Sequence, residues 1–211
     1  MDSTKPVLLI CGCHKYAEYL YAAIKRMQHP AWYVVGVLGG GETTSFDISS
    51  SILTVAKPDV YESLPAKLHT AYVWIFQNWP ETPGIFKTDE DIVFDKEALA
   101  TAIKTNTDKQ YWGIIKDMCN AGIINMHRIS LRFIDKTLRP THQKAIYCYG
   151  AGYWLNREVL PILEKAEEVY ASSSLEDVCT GYVMNQARIF PDQIKIQCGE
   201  VPRGPELLAH K

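Results

Sequence analysis

The sequence predicts an α/β domain in which a mixed, mostly parallel central sheet is flanked by helices, with one domain spanning residues 1–211. Three observations lead to this. "PVLLIC" at 6–11 is an unbroken apolar run, the signature of a strand buried on both faces. A segment of helical periodicity and a second apolar run, "WYVVGVLGG", follow it, giving strand, helix and strand in succession. Further on, "GIFKTDEDIVF" carries another buried strand into a cluster of acids.

The elements follow in chain order. In "KYAEYLYAAIKRMQ", Tyr16, Leu20, Ala23, Ile24 and Met27 recur at helical spacing, and Pro30 lies beyond as a stop. "WYVVGVLGG" reads as a strand closing in a glycine loop, and "SILTVAKPDVYESL" as a short strand with a Pro-marked turn. "AKLHTAYVWIFQNW" is a helix with an apolar second half. "GIFKTDEDIVF" is a single strand, and "DKEALATAIKT" a short helix opened by Asp95 as N-cap. Across 111–147, short strand-like runs ("YWGIIKDM", "HRISLRFI") alternate with turns. "NREVLPILEKAEEVY" and "SLEDVCTGYVMNQARI" are helices, the second opened at Ser173 or Ser174. The tail holds one short strand and a Pro/Gly-rich, linker-like end. The expected organisation is a nucleotide-binding-like half over about 1–95 and a mixed half over about 96–211.

Composition narrows the function. With 47% hydrophobic residues in 211, the chain can bury one substantial core. A net charge of −2 lacks the basic footprint of nucleic-acid binding. The first apolar run is broken by Gly12 and His14, too short for a signal peptide or a membrane span. A soluble, cytoplasmic chain without a membrane anchor is expected. The six cysteines (11, 13, 119, 148, 179 and 198) read as free thiols.

"KTDEDIVFD" at 87–95 sets three carboxylates side by side, where they repel unless solvent or a cation screens them. A strand ending in acids presents them at the carboxyl edge of the sheet, where open α/β folds bind ligands. On an extended path Asp89 and Asp91 share one side and Glu90 takes the other. Two such oxygen ligands suit Mg²⁺ or Mn²⁺, which complete their shell with water and phosphates. Nucleotidyl transfer and phosphatase chemistry fit the spacing as well. In "YCYGAGYWLN", Gly150 and Gly152 permit close backbone approach, while Tyr149, Tyr153 and Trp154 offer ring faces to a sugar or pack a tight turn. Glu176 and Asp177 open a helix, where acids favour the dipole. His14 follows the first strand, in reach of a bound base. "GGGE" at 39–42 lacks the residues of a P-loop and reads as a flexible connection. His210 stands near the end, either a further metal ligand or part of a frayed tail.

Taken in order, "DVYESLPAKLHTAYVWI", "FKTDEDIVF", "YWG", "YCYGAGYWLN" and "LEDVCTGYVMN" resemble the galactosyltransferase and Fringe-like glycosyltransferases, over about residues 32–185. The resemblance implies a GT-A-like fold in which Asp89 and Asp91 hold Mn²⁺ or Mg²⁺ against the diphosphate of a UDP-sugar. It places Asp59, Tyr61 and Lys67 near the nucleotide, and Gly150 and Gly152 beside the sugar and acceptor. Asp177, with Glu176, becomes the acid at the reacting centre. It further implies a UDP-glucose or UDP-rhamnose type donor and a glycan or glycoprotein acceptor. Because it extends to virus-encoded members, glycan synthesis on viral glycoproteins in a host cytosol is the expected setting. Glu90, Asn156 and the Pro65–Ala66 pair depart from the family pattern. Two other readings are a nucleotidyltransferase making nucleotide sugars and a UDP- or sugar-binding module without turnover.

Overall fold

The computed structural model describes residues 4–114, 145–173 and 175–201. Among them, eight strands form one sheet: β1 (Val7–Cys11), β2 (Tyr33–Leu38), β3 (Ser45–Asp47), β4 (Ile52–Thr54), β5 (Gly84–Asp89), β7 (Tyr111–Gly113), β8 (Tyr153–Asn156) and β9 (Asp192–Gln193). Their order is β3-β4-β2-β1-β5-β8-β7-β9. β1 lies parallel between β2 and β5, with Leu9 opposite Val35 on one side and Lys87 on the other. All five residues of β1 are buried, as its unbroken apolar run requires. The first half of the sheet is parallel from β4 to β5, and β8 then enters antiparallel between β5 and β7. Two further strands, β6 (Ile92–Phe94) and β10 (Cys198–Glu200), form a small antiparallel sheet.

Helices cover both faces. On one, α1 (Ala17–Arg26) buries Leu20, Ala23 and Ile24, and α3 (Lys96–Thr105) buries Leu99 and Ile103. They pack with Ile10, Trp32, Trp112 and Trp154. Asp95 caps α3 by accepting from Ala98 N–H at 3.0 Å. On the other face, α2 (Leu64–Asn78) packs against α4 (Leu160–Glu164), α5 (Glu167–Ala171) and α6 (Glu176–Gln186). Among the described residues no helix is long and apolar enough to cross a membrane. Cys11, Cys13, Cys148, Cys179 and Cys198 are free thiols; Cys119 lies outside the described residues.

Several elements differ from expectation. "GIFKTDEDIVF" is two strands in two sheets, because the chain turns at Glu90–Asp91. "YWLN" forms β8, where the sequence suggested a tight turn or open ring faces rather than a strand. The helix expected over 156–170 is divided into a 3-10 turn at Arg157–Val159, α4 and α5. The described part of the tail holds two short strands instead of one. Ser173 does not open α6: its hydroxyl donates back to the Val169 carbonyl at 2.8 Å and Leu175 holds the N-cap position, while Ser174 lies outside the described residues. "HRISLRFI" lies outside the described residues.

Candidate active site

β1 and β5 run parallel with Cys11 opposite Asp89, so both chains leave at one edge of the sheet. The exit from β1 is tied by a buried ion pair. Lys67 on α2 lies 2.9 Å from Asp59 Oδ1 and donates to the Gly12 carbonyl at 2.6 Å. Asp59 also accepts from the backbone N–H of His14 at 2.5 Å and of Gly39 at 3.0 Å. Burial pushes the Asp59 carboxyl up, but Lys67 and these N–H groups outweigh it and hold it below its ordinary range. The His14 ring donates from Nε2 to the Gly39 carbonyl at 3.0 Å. Gly40 adopts φ +83°, the left-handed region that glycine enters freely. The N–H groups of Gly40 and Gly41 go to the carbonyls of Lys57 and Val55. "GGGE" is therefore pinned rather than flexible, and its three glycine N–H groups are engaged by Asp59, Lys57 and Val55. Asp59 and Lys67 neutralise each other and shape the loops at this edge, whereas Tyr61 is exposed beside them.

The acidic turn starts where β5 ends. Asp89 is the last residue of the strand, and Glu90 and Asp91 form the turn, so the side-to-side alternation of an extended path does not apply. Glu90 is buried, and its carbonyl accepts from Arg26 Nη2 at 3.0 Å. β10 clasps the turn from outside: Glu200 pairs with Ile92, and Val201 N–H donates to the Asp91 carbonyl at 2.7 Å. Asp89 and Asp91 are both half-buried.

Behind Asp89 stands a buried lysine. Lys87 Nζ lies 2.7 Å from Asp89 Oδ1, 2.9 Å from the Gly150 carbonyl and 3.1 Å from Glu176 Oε2. Burial would lower its pKa, but Asp89 and Glu176 together hold the ammonium well above its ordinary value. Burial raises Glu176 to about 7 against the pull of Lys87, and Asp177 and Asp89 add to the rise. Both partners shift upward because one ammonium is shared between two carboxylates and Glu176 lies in the dry interior. Glu176 Oε1 accepts from the hydroxyls of Tyr153, Tyr72 (3.2 Å) and Thr180 (3.3 Å), so its carboxylate is enclosed by donors.

Asp177, in the first turn of α6, faces the same centre. Its Oδ1 accepts from Val178 N–H at 2.8 Å and its Oδ2 from Gly150 N–H at 3.2 Å. Burial raises its pKa, with Lys87 and the two N–H groups opposing. Gly150 is where these groups converge. A Cβ there would sit 3.4 Å from Lys87 Nζ, 3.5 Å from Asp89 Oδ2 and 3.6 Å from Asp177 Oδ2. Two acids far apart in sequence thus border one small gap.

The neighbouring glycine and aromatics divide into core and surface. A Cβ on Gly152 would meet the Phe86 and Phe94 rings at 2.9 Å, so Gly152 serves packing rather than the sugar. Trp154 is fully buried and stacked on Trp112, with ring centroids 5.9 Å apart, and its face is closed to a sugar. Tyr153 is equally buried, with its hydroxyl committed to Glu176. The aromatic exposed beside the acids is Tyr149, at 38%. Burial raises its phenol pKa, and the negative charge of Glu200, Asp177, Asp89 and Asp91 raises it further.

Among the described residues, no three His, Cys, Asp or Glu side chains form a metal cage. Mg²⁺ and Mn²⁺ commonly use one or two carboxylates plus substrate phosphates, and the half-buried Asp89 beside the gap at Gly150, with the half-buried Asp91 two residues on in the turn, suits that mode. His210 lies outside the described residues.

The sequence profile of the family described as Galactosyltransferase matches residues 48–195, a span holding the acidic turn, Gly150 and α6. The chain belongs to the galactosyltransferase family. This galactosyltransferase-family chain is 24% identical over 154 residues to beta-1,3-galactosyltransferase 5 of Mus musculus, covering 69% of this chain and 47% of the relative. It is 23% identical over 134 residues to beta-1,3-galactosyltransferase 2 of Homo sapiens, covering 63% and 32%. With UDP-GalNAc:beta-1,3-N-acetylgalactosaminyltransferase 1 of Mus musculus it shares 23% over 135 residues, 62% of this chain and 39% of the relative. The chain thus spans less than half the length of these curated relatives. A solved glycosyltransferase involved in glycosylation of the major capsid of PBCV-1 shares the fold, with TM-score 0.50, 9% identity, and coverage of 90% of this chain and 81% of that one.

In this family member, Lys87, Tyr72, Thr180 and Glu200 join the site although sequence reading passed over them. A lysine inside an otherwise apolar strand was the available signal for Lys87. Tyr72 and Thr180 lie inside helices with nothing in their spacing to mark them, and Glu200 arrives only through the β6–β10 pairing.

Proposed function

We propose that this chain is the donor-binding and catalytic unit of a metal-assisted glycosyltransferase that moves a hexosyl or deoxyhexosyl group from a UDP-sugar to a glycan or glycoprotein acceptor. The observation that carries this reading is the convergence of Asp89, Asp177 and Lys87 around Gly150 at the carboxyl edge of the sheet, in a family matched over residues 48–195. In this reading Asp89 and Asp91 would hold Mn²⁺ or Mg²⁺. When bound, the cation offsets charge developing on the departing diphosphate.

Asp177 is the proton acceptor. It takes the proton of the acceptor hydroxyl as that oxygen bonds to the anomeric carbon, and the bond to UDP breaks with its electron pair leaving on the diphosphate. A carboxylate whose pKa is raised by burial is better matched to this task near neutral pH than an ordinary one. The outcome is inversion at the anomeric carbon. Glu176, enclosed behind it, anchors Lys87 rather than touching substrate. Tyr149 supplies the open ring for a sugar.

Calorimetry with UDP, GDP and CMP, with and without Mn²⁺, tests the reading, followed by transfer assays over several donors. UDP-galactose and UDP-N-acetylgalactosamine, the sugars named by the relatives, belong in that panel with UDP-glucose and UDP-rhamnose. UDP should bind well only with the cation present. Equal binding without metal would remove the role given to Asp89 and Asp91. Metal-assisted UDP binding without cleavage of any donor would mark a binding module.

A further inference from the structure

We propose that Lys87 is a positioning residue that sets the orientation of the cation-holding carboxylate of Asp89, an inference that rests on the metal-assisted reading above. Lys87 lies in a core row: it pairs with Leu9 on one side and Tyr153 on the other, both fully buried. For stability alone an apolar pair in place of Lys87 and Glu176 would serve at least as well, since burying an ion pair seldom gains over packed hydrocarbon.

An ammonium has three protons to donate. Those of Lys87 meet Asp89 Oδ1, the Gly150 carbonyl and Glu176 Oε2. No donor remains for a ligand, so Lys87 acts through its partners. These belong to three separate pieces of the molecule: the end of β5, the turn before β8 and the start of α6. One buried group therefore locks three parts of the site together. By engaging Oδ1, it turns Asp89 Oδ2 toward the gap at Gly150. Outer partners of ligating groups typically change metal affinity by about 10–100-fold when removed.

Coulomb's law gives the opposite expectation for a mere bystander. Deleting a positive charge 2.7 Å from a metal-holding carboxylate would strengthen cation binding. The sign of the effect therefore separates orientation from charge.

The test uses the whole chain carrying Lys87→Met together with Glu176→Gln, which removes the buried Lys87–Glu176 pair at once and leaves without its ammonium only the half-buried Asp89, which solvent reaches. Thermal unfolding of the metal-free protein reports the fold, and electron paramagnetic resonance of free Mn²⁺ at saturating UDP reports cation affinity. The double variant should unfold cooperatively and bind Mn²⁺ about tenfold or more weakly. Glu176→Gln alone keeps Lys87 against Asp89 and leaves it an amide oxygen in place of Oε2, so it should lose clearly less Mn²⁺ affinity than the double variant. Unchanged or tighter Mn²⁺ binding in the double variant overturns the inference. If the double variant fails to fold, the single variant decides, because a loss of about tenfold there would assign the effect to Glu176 instead. A wild-type chain that binds no Mn²⁺ with UDP would overturn the metal-assisted reading itself and this inference with it.

Discussion

Replacing Glu176 by Gln should flatten the pH dependence of stability expected of the wild-type chain. The carboxyl is 4% exposed, and burial raises its pKa from 4.5 to about 7 in the folded state. Below about pH 4.5 it is protonated in both states. Between there and about pH 7 the folded chain keeps a proton that the unfolded chain has released. Stability from this group is therefore complete below pH 4.5 and is lost as pH rises through 7. A span of about 2.5 pH units, at about 1.4 kcal/mol each, bounds the loss near 3 kcal/mol. Urea unfolding of metal-free wild type and Glu176→Gln at pH 5 and pH 8 measures it, because groups remote from Glu176 cancel and the difference reports Glu176 with the charges coupled to it, Lys87, Asp177 and Asp89. The wild type should lose about 2–3 kcal/mol more than the variant between the two conditions. Profiles parallel within about 0.5 kcal/mol would refute the reasoning, and would mean that Lys87 fully compensates the burial of Glu176.

The two glycines of the turn should separate by phenotype. Gly150→Ala should cost about 1 kcal/mol or less and abolish Mn²⁺-dependent UDP binding, because its methyl enters the gap beside Asp89 and Asp177. Gly152→Ala should cost about 1–3 kcal/mol through its clash with Phe86 and Phe94, which denaturant titration will show. Asp91→Ala should leave the fold intact and lower transfer by about a hundredfold, if the cation contributes about 3 kcal/mol at the transition state; wild-type turnover would reduce the acids to a solvated turn. Asp177→Asn should lower transfer by about 10²–10⁴-fold with UDP affinity nearly unchanged, and normal transfer would leave it a helix-start acid.

The parallel half of the fold was legible because buried strands and amphipathic helices write periodic patterns. β1, α1, β2, α2 and β5 appear where "PVLLIC" and its successors put them. β3 was missed because three residues on an exposed edge show too little alternation to register. The break at Glu90–Asp91 was hidden because apolar residues flank it on both sides, and only the pairing of β6 with distant β10 shows that Ile92–Phe94 belongs elsewhere. At the site, acids and glycines advertised themselves by residue type. Trp154 and Tyr153 did not reveal which way they faced, since an aromatic beside glycine reads alike in a core and in a binding groove. That choice is made by β8 lying against β5, a contact between segments far apart in the chain.

The clasp of β10 on β6 has a kinetic consequence. Asp91 lies early in the chain, yet its carbonyl is held by Val201, so closing the acidic turn requires a contact across more than half the sequence. Contacts of such long separation form late, after the entropy of closing the intervening loop has been overcome. On refolding from denaturant, tryptophan burial around Trp112 and Trp154 should recover first, and the capacity to bind Mn²⁺ should lag behind it. During synthesis, likewise, a nascent chain already carrying β1, β2 and β5 would hold its acids on an unclasped turn until the ribosome releases the strand that fastens it.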